Sequence, residues 1–433
     1  MKALIKKILP ENALSLYHRT LAIIASHFYR MPSKDMVVIG ITGTKGKTST
    51  ANFIWSALQA TGLKVGIIST ANVRIGNEEM LNPFHMTMPG RFKVQKYLRQ
   101  MADAKCDVAI VETTSQGLLQ FRHIGIWYDI VIFTNLTPEH IDAHGSFDAY
   151  KKAKGILFQY LGTFKRKIIN GREIQKTIIT NGDSEHGNYF LGFPADNKIT
   201  FSIDKDSAYQ AKDIHINEEG VEFKVNNNLF SLKIPGKFNI YNALPAIIVG
   251  KILDKNFEDI RKGLNNISVI PGRMENINEG QSFKVIVDYA HEKQSMTEVL
   301  EAGKSLIKRD GKIIVILGAE GGGRDKSKGP TMGTVAGKLA DTVVVSNTDP
   351  YDDDPAIIAQ GIAEAAMSQG KVLNKDLFIV LDRREGIKKA LTLASPNDVV
   401  IATGMGAQQT MIVSGKELPW DDRKVVREEL RKL

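Results

Sequence analysis

Between Val37 and Ala51 the hydrophobic pattern changes period. The β-branched run Val37, Val38, Ile39 stops at Gly40 and Gly43, and apolar positions return at helical spacing after Lys47. This predicts a strand, a tight turn and a helix. Similar apolar runs recur at 65–69, 108–111 and 130–133 with helical stretches between them. Strands alternating with helices predict an α/β fold, a doubly wound and mostly parallel sheet of the phosphate-loop type whose ligands lie at the carboxyl ends of the strands. From Asp206 to Pro235 the period falls to two, in VEFKV and LFSLKI on either side of Asn226–Asn228, which predicts a hairpin insertion at the domain's edge. After Pro271 a second series of runs begins, at 285–287, 313–317, 342–345, 377–381 and 399–402. Each is followed by polar or glycine-rich residues, so a second, Rossmann-like α/β domain is expected. Ahead of the first strand, Leu21, Ile24, Ala25 and Phe28 fall at i, i+3, i+4 and i+7, an amphipathic helix from about Ala13 to Arg30 that Pro32 closes. The expected division is an N-terminal helix and linker at 1–36, a central domain at 37–270 and a C-terminal domain at 271–433.

Composition narrows the class. With 433 residues the chain exceeds what one core supports, and 43% hydrophobic with 24% charged residues describes an ordinary globular protein. Its single cysteine, Cys106, excludes a disulfide framework or a cysteine-based zinc site, so a reducing cytoplasm is expected. The net charge of +9 is spread along the chain rather than gathered in one arm. That spread suits anionic nucleotide substrates and a solvated basic surface, and argues against a nucleic-acid partner. No signal peptide is expected, because His18, Arg19 and His27 interrupt the apolar N-terminal part. No segment approaches the ~20 apolar residues of a membrane span. With Lys2, Lys6 and Lys7 upstream, the first helix could touch a membrane surface. Its narrow apolar face without tryptophan favours docking on the following domain instead.

The turn after the first strand is built for phosphate. Gly43 and Gly46 let backbone N–H groups of Thr44 and Lys45 face inward, and the helix opening at Lys47, Thr48 and Ser49 adds partial positive charge. Lys47 can reach outer phosphates and Thr48 can hold Mg²⁺. The generic phosphate-loop spacing is not met, since Ile41 stands where its first glycine belongs and Gly40 comes one residue early. Glu112 ends a strand in VETTSQGL, His140 lies in TNLTPEHIDAHG and Lys154 in YKKAKGIL. Each alone has an ordinary explanation as a solvated strand end, a loop histidine or a helix-face charge. Beside a triphosphate they suit Mg²⁺.

Taken in order, TGTKGKT, VETTSQGL, TNLTPEHIDAHG, AYKKAK, GKFNIYNALPA, PGRME and VDYAH resemble the motifs of the Mur ligase family over nearly everything after Val37. The resemblance implies an ATP-dependent amide ligase that adds an amino acid to a peptidoglycan precursor through an acyl phosphate. It implies that Thr48 ligates one Mg²⁺, that Glu112 and His140 ligate a second, and that Lys154 carries CO₂ as a carbamate. It places Asn239 and Asn242 near adenine, Arg273 at the phosphates and Asp288 at ribose with His291 nearby, in a site completed by domain closure. DYAH, GRME, GGGRDKSKGPTMG and Thr87-Met88-Pro89 are similar to the branch that makes the UDP-N-acetylmuramoyl tripeptide. There the precursor and acceptor contacts would fall to Thr87, Ser115, Asp349, Tyr351 and Gln408.

Three departures accompany the likeness. The roughly thirty-six residues before the loop cannot form that branch's uridine-nucleotide domain, so a partner protein supplying it is one expectation. Where the branch has D-N-P-R, whose arginine selects meso-diaminopimelate, this chain has Asp349-Pro350-Tyr351. Tyrosine lacks the fork that pairs with a carboxylate, which disfavours that acceptor. Where the branch has G-K-G-H-E, Gly404-Met405-Gly406-Ala407-Gln408 stands. Asp352–Asp354 could attract a cationic amino acid, but an acidic loop capping a helix near Pro355 is favoured. The competing readings are a folylpolyglutamate or poly-γ-glutamate synthetase, and a nucleotide-binding partner subunit without catalysis. Intact Lys47, Glu112, His140 and Lys154 argue against the last.

Overall fold

The computed structural model describes residues 11–76, 78–84, 86–138, 144–217 and 220–433, which group into two units. The first comprises residues up to 213 with 223–230 and 240–266; the second comprises 214–222, 231–239 and 267–433.

In the first unit the chain runs α1 (Glu11–Phe28), β1 (Val37–Thr42), α2 (Lys47–Ala60), β2 (Val65–Ile68), β3 (Asn72–Ile75), β4 (Glu78–Leu81), α3 (Arg91–Asp103), β5 (Val108–Glu112), α4 (Ser115–Leu119), β6 (Ile130–Phe133) and α5 (Phe147–Leu161). A short hairpin, β7 (Lys167–Ile169) and β8 (Arg172–Ile174), then leads to β9 (Thr177–Asn181), α6 (Gly187–Leu191), β10 (Asn197–Ser202) and β11 (Tyr209–Gln210). The sheet order is β11-β10-β9-β6-β1-β5-β2-β3-β4. All pairs from β11 to β2 are parallel. All six β1 positions are buried, as are those of β5 and β6, which is why they read as continuous apolar runs rather than alternating ones. At the far edge β3 and β4 turn antiparallel, an addition that the sequence pattern did not reveal. Three residues between β2 and β3 are too few for a crossover. β1 lies between β5 and β6, so the chain leaves it in one direction and later returns on its other side. That reversal puts a crevice at its carboxyl end.

The first helix docks as expected, but by its small residues. Ala22, Ala25 and Ser26 are buried, and α1 packs on α3. Arg30 and Met31 both adopt positive φ, ending the helix at Phe28 rather than at Arg30.

The expected hairpin is present as β13 (Gly220–Val225) and β14 (Asn228–Leu232), with Asn226 and Asn227 at the positive φ a tight turn demands, and β12 (Lys212–Asn217) joins them in a three-stranded sheet. Helix α7 (Phe238–Ile252) follows, then α8 (Phe257–Asn266), which packs on α2 so closely that Ser56 Oγ donates to Gly263 O at 2.6 Å.

The second unit runs β15 (Glu275–Ile277), β16 (Lys284–Val287), α9 (Lys293–Lys304), β17 (Ile313–Leu317), α10 (Lys328–Leu339), β18 (Thr342–Val345), α11 (Pro355–Met367), β19 (Leu377–Ile379), α12 (Arg383–Leu393) and β20 (Val399–Ala402). It ends with the hairpin β21 (Thr410–Val413) and β22 (Lys416–Pro419) and helix α13 (Asp422–Leu430). The sheet order is β15-β16-β20-β17-β18-β19, parallel except for β15 on β16. Its core gathers Ile277, Val287, Ile316, Val344, Ile387 and Val400. Asp354 caps α11, its carboxylate accepting from Ala356 N at 2.8 Å with Pro355 in the first turn, so the acidic loop has the capping role that the sequence favoured.

Candidate active site

The loop after β1 is held in shape by the loop after β6. Thr44 N donates to Asn135 O at 2.9 Å, Lys45 N to Asn135 Oδ1 at 2.8 Å, and Thr134 Oγ1 to Lys45 O at 2.6 Å. These bonds account for the TNLT stretch following a strand whose neighbour carries the glycines. Both turn glycines are required. A Cβ on Gly43 (φ +153°) would lie 1.9 Å from Thr134 Oγ1, and one on Gly46 (φ +78°) 2.2 Å from Asn242 Oδ1. Asn242 of α7 is thereby placed against the loop, whereas the motif-based expectation had it near adenine. Lys47 folds back over the loop, its Nζ donating to Gly43 O at 3.0 Å and Thr44 O at 2.9 Å.

Glu112, at the end of β5, is buried at 1% exposure. Its Oε2 accepts from Thr48 Oγ1 at 2.9 Å and Thr70 N at 2.8 Å, and its Oε1 from Thr70 Oγ1 at 3.0 Å. Every one of these donors is neutral. A buried carboxylate so placed, touching the first-turn threonine of a phosphate loop, is the oxygen donor set that Mg²⁺ takes. The Thr70 hydroxyl is also 2.8 Å from Thr87 Oγ1, so the predicted substrate contact Thr87 joins the same network. Lys154, buried on α5, donates to Gly43 O at 2.8 Å and sits 4.3 Å from the Tyr150 ring centroid. Tyr150 OH lies 3.2 Å from Thr44 Oγ1. Ser115 Oγ and His144 Nε2 are 3.1 Å apart, and burial, with a smaller contribution from the Lys154 charge, lowers the His144 pKa. Ser49 is buried in the first turn of α2. Thus Gly43–Ser49, Thr87, Glu112, Lys154 and Asn242 come together, with Ser115 tied to His144 nearby. His140 lies outside the described residues.

The remaining predicted residues, Asn239, Arg273, Asp288, His291, Asp349, Tyr351 and Gln408, belong to the second unit. Asn239 Nδ2 donates to Pro235 O at 2.7 Å, near the start of α7. Asp288, just beyond β16, accepts from Met274 N at 2.7 Å and Ala290 N at 2.8 Å. Burial raises its pKa, while the Arg273 charge opposes the rise. The Arg273 guanidinium lies 4.5 Å from the Tyr289 ring, and His291 Nδ1 is 2.8 Å from Tyr289 O. A Cβ on Gly272 would meet Ala407 N at 2.1 Å, so the PGRME turn rests on the Gly404–Gln408 loop.

At the carboxyl ends of β17, β18 and β20 a cleft is lined by His291, Glu320, Arg324, Lys328, Asp349 and Met405. Arg324 pairs with Glu320 at 3.0 Å, and its NH2 donates to Tyr351 OH at 2.8 Å. Tyr351 holds a positive φ of 56°, with its N–H bonded to Ile412 O. Asp349 Oδ1 accepts from Ile412 N at 2.7 Å, and Gln408 N donates to Met405 O at 3.0 Å.

Sequence reasoning missed Thr70, Tyr150 and Arg324. Thr70 had a signal, as a polar residue just past the carboxyl end of β2. Arg324 lay inside a recognised motif but had no partner until Tyr351 was seen beside it.

Comparison with known proteins identifies the family. The Mur ligase middle domain family matches residues 41–250, and the Mur ligase glutamate ligase domain family matches 272–406. The UDP-N-acetylmuramoyl-L-alanyl-D-glutamate–2,6-diaminopimelate ligase of Clostridium botulinum is 33% identical over 422 residues, covering 96% of this chain and 82% of that protein. A UDP-N-acetylmuramyl-tripeptide synthetase of Roseiflexus sp. is 32% identical over 421 residues, covering 95% and 82%. A solved UDP-N-acetylmuramoyl-L-alanyl-D-glutamate–2,6-diaminopimelate ligase superposes with a TM-score of 0.61 at 26% identity, covering 92% of this chain and 79% of that one. With a phosphate loop bonded to a buried glutamate, and a third of its residues shared with these enzymes along nearly its whole length, the chain belongs to the Mur ligase family.

Proposed function

We propose that the protein is an ATP-dependent amide ligase of peptidoglycan precursor synthesis, adding an amino acid to UDP-N-acetylmuramoyl-L-alanyl-D-glutamate in the cytoplasm. The observation that carries this reading is the bond from Thr48 to buried Glu112 beneath the loop that Lys47 and Lys154 both close. In the reaction the precursor's carboxylate oxygen attacks the γ-phosphorus of ATP and the bond to the β-phosphate oxygen breaks, leaving ADP and an acyl phosphate. The acceptor amine then adds to the acyl carbon, loses a proton and expels phosphate, which completes the amide.

This chain's residues serve those steps by position. Lys47 exchanges its carbonyl partners for phosphate oxygens, and the backbone N–H groups from Gly46 to Ser49 receive the rest of the charge, those of Thr44 and Lys45 being held by Asn135. Thr48 would hold one magnesium ion and Glu112, with His140, a second; bound Mg²⁺ supplies positive charge to the phosphate oxygens. Lys154 would carry CO₂ as a carbamate, an oxygen donor where an ammonium now stands. Asn239 and Asn242 serve adenine, Arg273 the phosphates, and Asp288 with His291 the ribose. Thr87 and Ser115 hold the muramoyl peptide.

The acceptor falls to Asp349, Tyr351 and Gln408, of which Asp349 lines the cleft beside Arg324. The relatives described above are named for 2,6-diaminopimelate or for tripeptide synthesis in general. Here Tyr351 supplies no guanidinium, and Arg324 already has Glu320 and the Tyr351 hydroxyl as partners. That engagement supports an acceptor without a second carboxylate. ADP release should be screened by crossing UDP-muramoyl dipeptide, folates and glutamate polymers with lysine, ornithine, meso-diaminopimelate and glutamate. Turnover with the muramoyl dipeptide that Lys47→Ala abolishes is expected; turnover with folates alone, or ATP binding without turnover for any pair, overturns the reading.

A further inference from the structure

The first helix presents its side chains inversely. Against the domain it places Ala22, Ala25 and Ser26, while Leu16, Tyr17, Ile23, Ile24 and Phe28 stand outward, Leu16 at 66% and Phe28 at 70% exposure. These five positions, with Thr20 and His27 between them, form one continuous helical face bearing no acid. The apolar surface does not end at the helix, because the Phe28 and Phe92 rings lie 6.4 Å apart and Phe92 of α3 is itself exposed. An apolar area spread over two helices is more than the scattered exposed side chains of an ordinary surface.

The charges around it decide what covers it. Arg19 on α1 and Arg30 just past its end are both exposed, and exposed Lys96 follows Phe92 by one turn on α3. Residues 1–34 carry Lys2, Lys6, Lys7, Arg19, Arg30 and Lys34 against Glu11 alone. The first ten residues, with three lysines and no acid, do not complement such a rim, and a second copy would present the same sign. An anionic bilayer surface answers both features, since it takes apolar side chains below its headgroups and pairs cations at their level. No helix among the described residues is long and apolar enough to cross a membrane, so the contact is peripheral.

We propose that the α1–α3 face seats the protein on anionic lipid surface, a property separate from its ligase chemistry. The test is co-sedimentation of the full chain with vesicles of phosphatidylcholine alone or mixed with phosphatidylglycerol. Binding to the mixed vesicles that falls with added salt is expected. The double variant Ile24→Ser/Phe28→Ser should lower the partition coefficient about tenfold or more, and Arg19→Gln/Arg30→Gln by a similar factor, each with unchanged circular dichroism and melting temperature. Equal binding to both vesicle types, no binding to either, or wild-type binding by both variants overturns the proposal. So does a dimer in light scattering that Ile24→Ser/Phe28→Ser dissociates, which would assign the face to a second copy.

Discussion

Gly46 shows how one missing methyl group shapes a site. Its φ of +78° and the Asn242 amide 2.2 Å from where a Cβ would stand leave no other residue there. Gly46→Ala should weaken ATP binding at least about tenfold in isothermal titration, because either the loop or Asn242 must move. Thr70 acts through Glu112. Thr70→Val removes one of three bonds to the carboxylate and the contact with Thr87, so the Mg²⁺ needed for half-maximal ADP release should rise several-fold, with about 1 kcal/mol of stability lost in urea titration. His123 is a structural counterpart, buried against Tyr160 with its Nδ1 lacking a hydrogen-bond partner among the described residues. Burial lowers its pKa from 6.5 to about 4. Between those values the unfolded chain binds the extra proton, so stability is lost as the pH falls from about 6.5 to about 4, by up to about 3 kcal/mol. Stepped-pH urea titrations should show this slope, and His123→Phe should flatten it.

At the scale of elements, Asp129 joins several strands. Just before β6, its Oδ2 accepts from Val38 N of β1 at 2.9 Å and from Lys167 Nζ of β7 at 2.6 Å, and its Oδ1 from Lys176 Nζ, one residue ahead of β9, at 3.0 Å. All three charged groups are buried, and burial, partly offset by the Asp129 carboxylate, lowers Lys167 to about 8. Asp129→Ala strands two buried ammonium groups and should cost about 3–5 kcal/mol by chemical denaturation. Nothing in WYDIVIF marks this aspartate, since its partners lie 38, 47 and 91 residues away. The strand–loop–helix at Val37–Ala51, by contrast, was legible because glycine torsions and apolar period are local. The edge strands β3 and β4 were not, because NVRI and EEML pair through backbone and carry little apolar signal.

At the scale of the molecule, a ligand that binds only the folded chain raises its stability. ATP with Mg²⁺ at a hundredfold excess over its dissociation constant should add about 2.7 kcal/mol to the unit carrying the loop, visible as a higher melting temperature that Lys47→Ala abolishes. The nucleotide loop, the alternation of strands and helices and the two α/β series were written in residue order, since each depends on neighbours within a turn or a strand. Family membership was legible for the same reason: its motifs are short and ordered. Tertiary structure alone decided that Thr70 braces Glu112, that Tyr351 holds Arg324, and that α1 turns its small residues inward. Those choices rest on side chains brought together across the chain, and burial and charge pairing select them only once the sheets have formed.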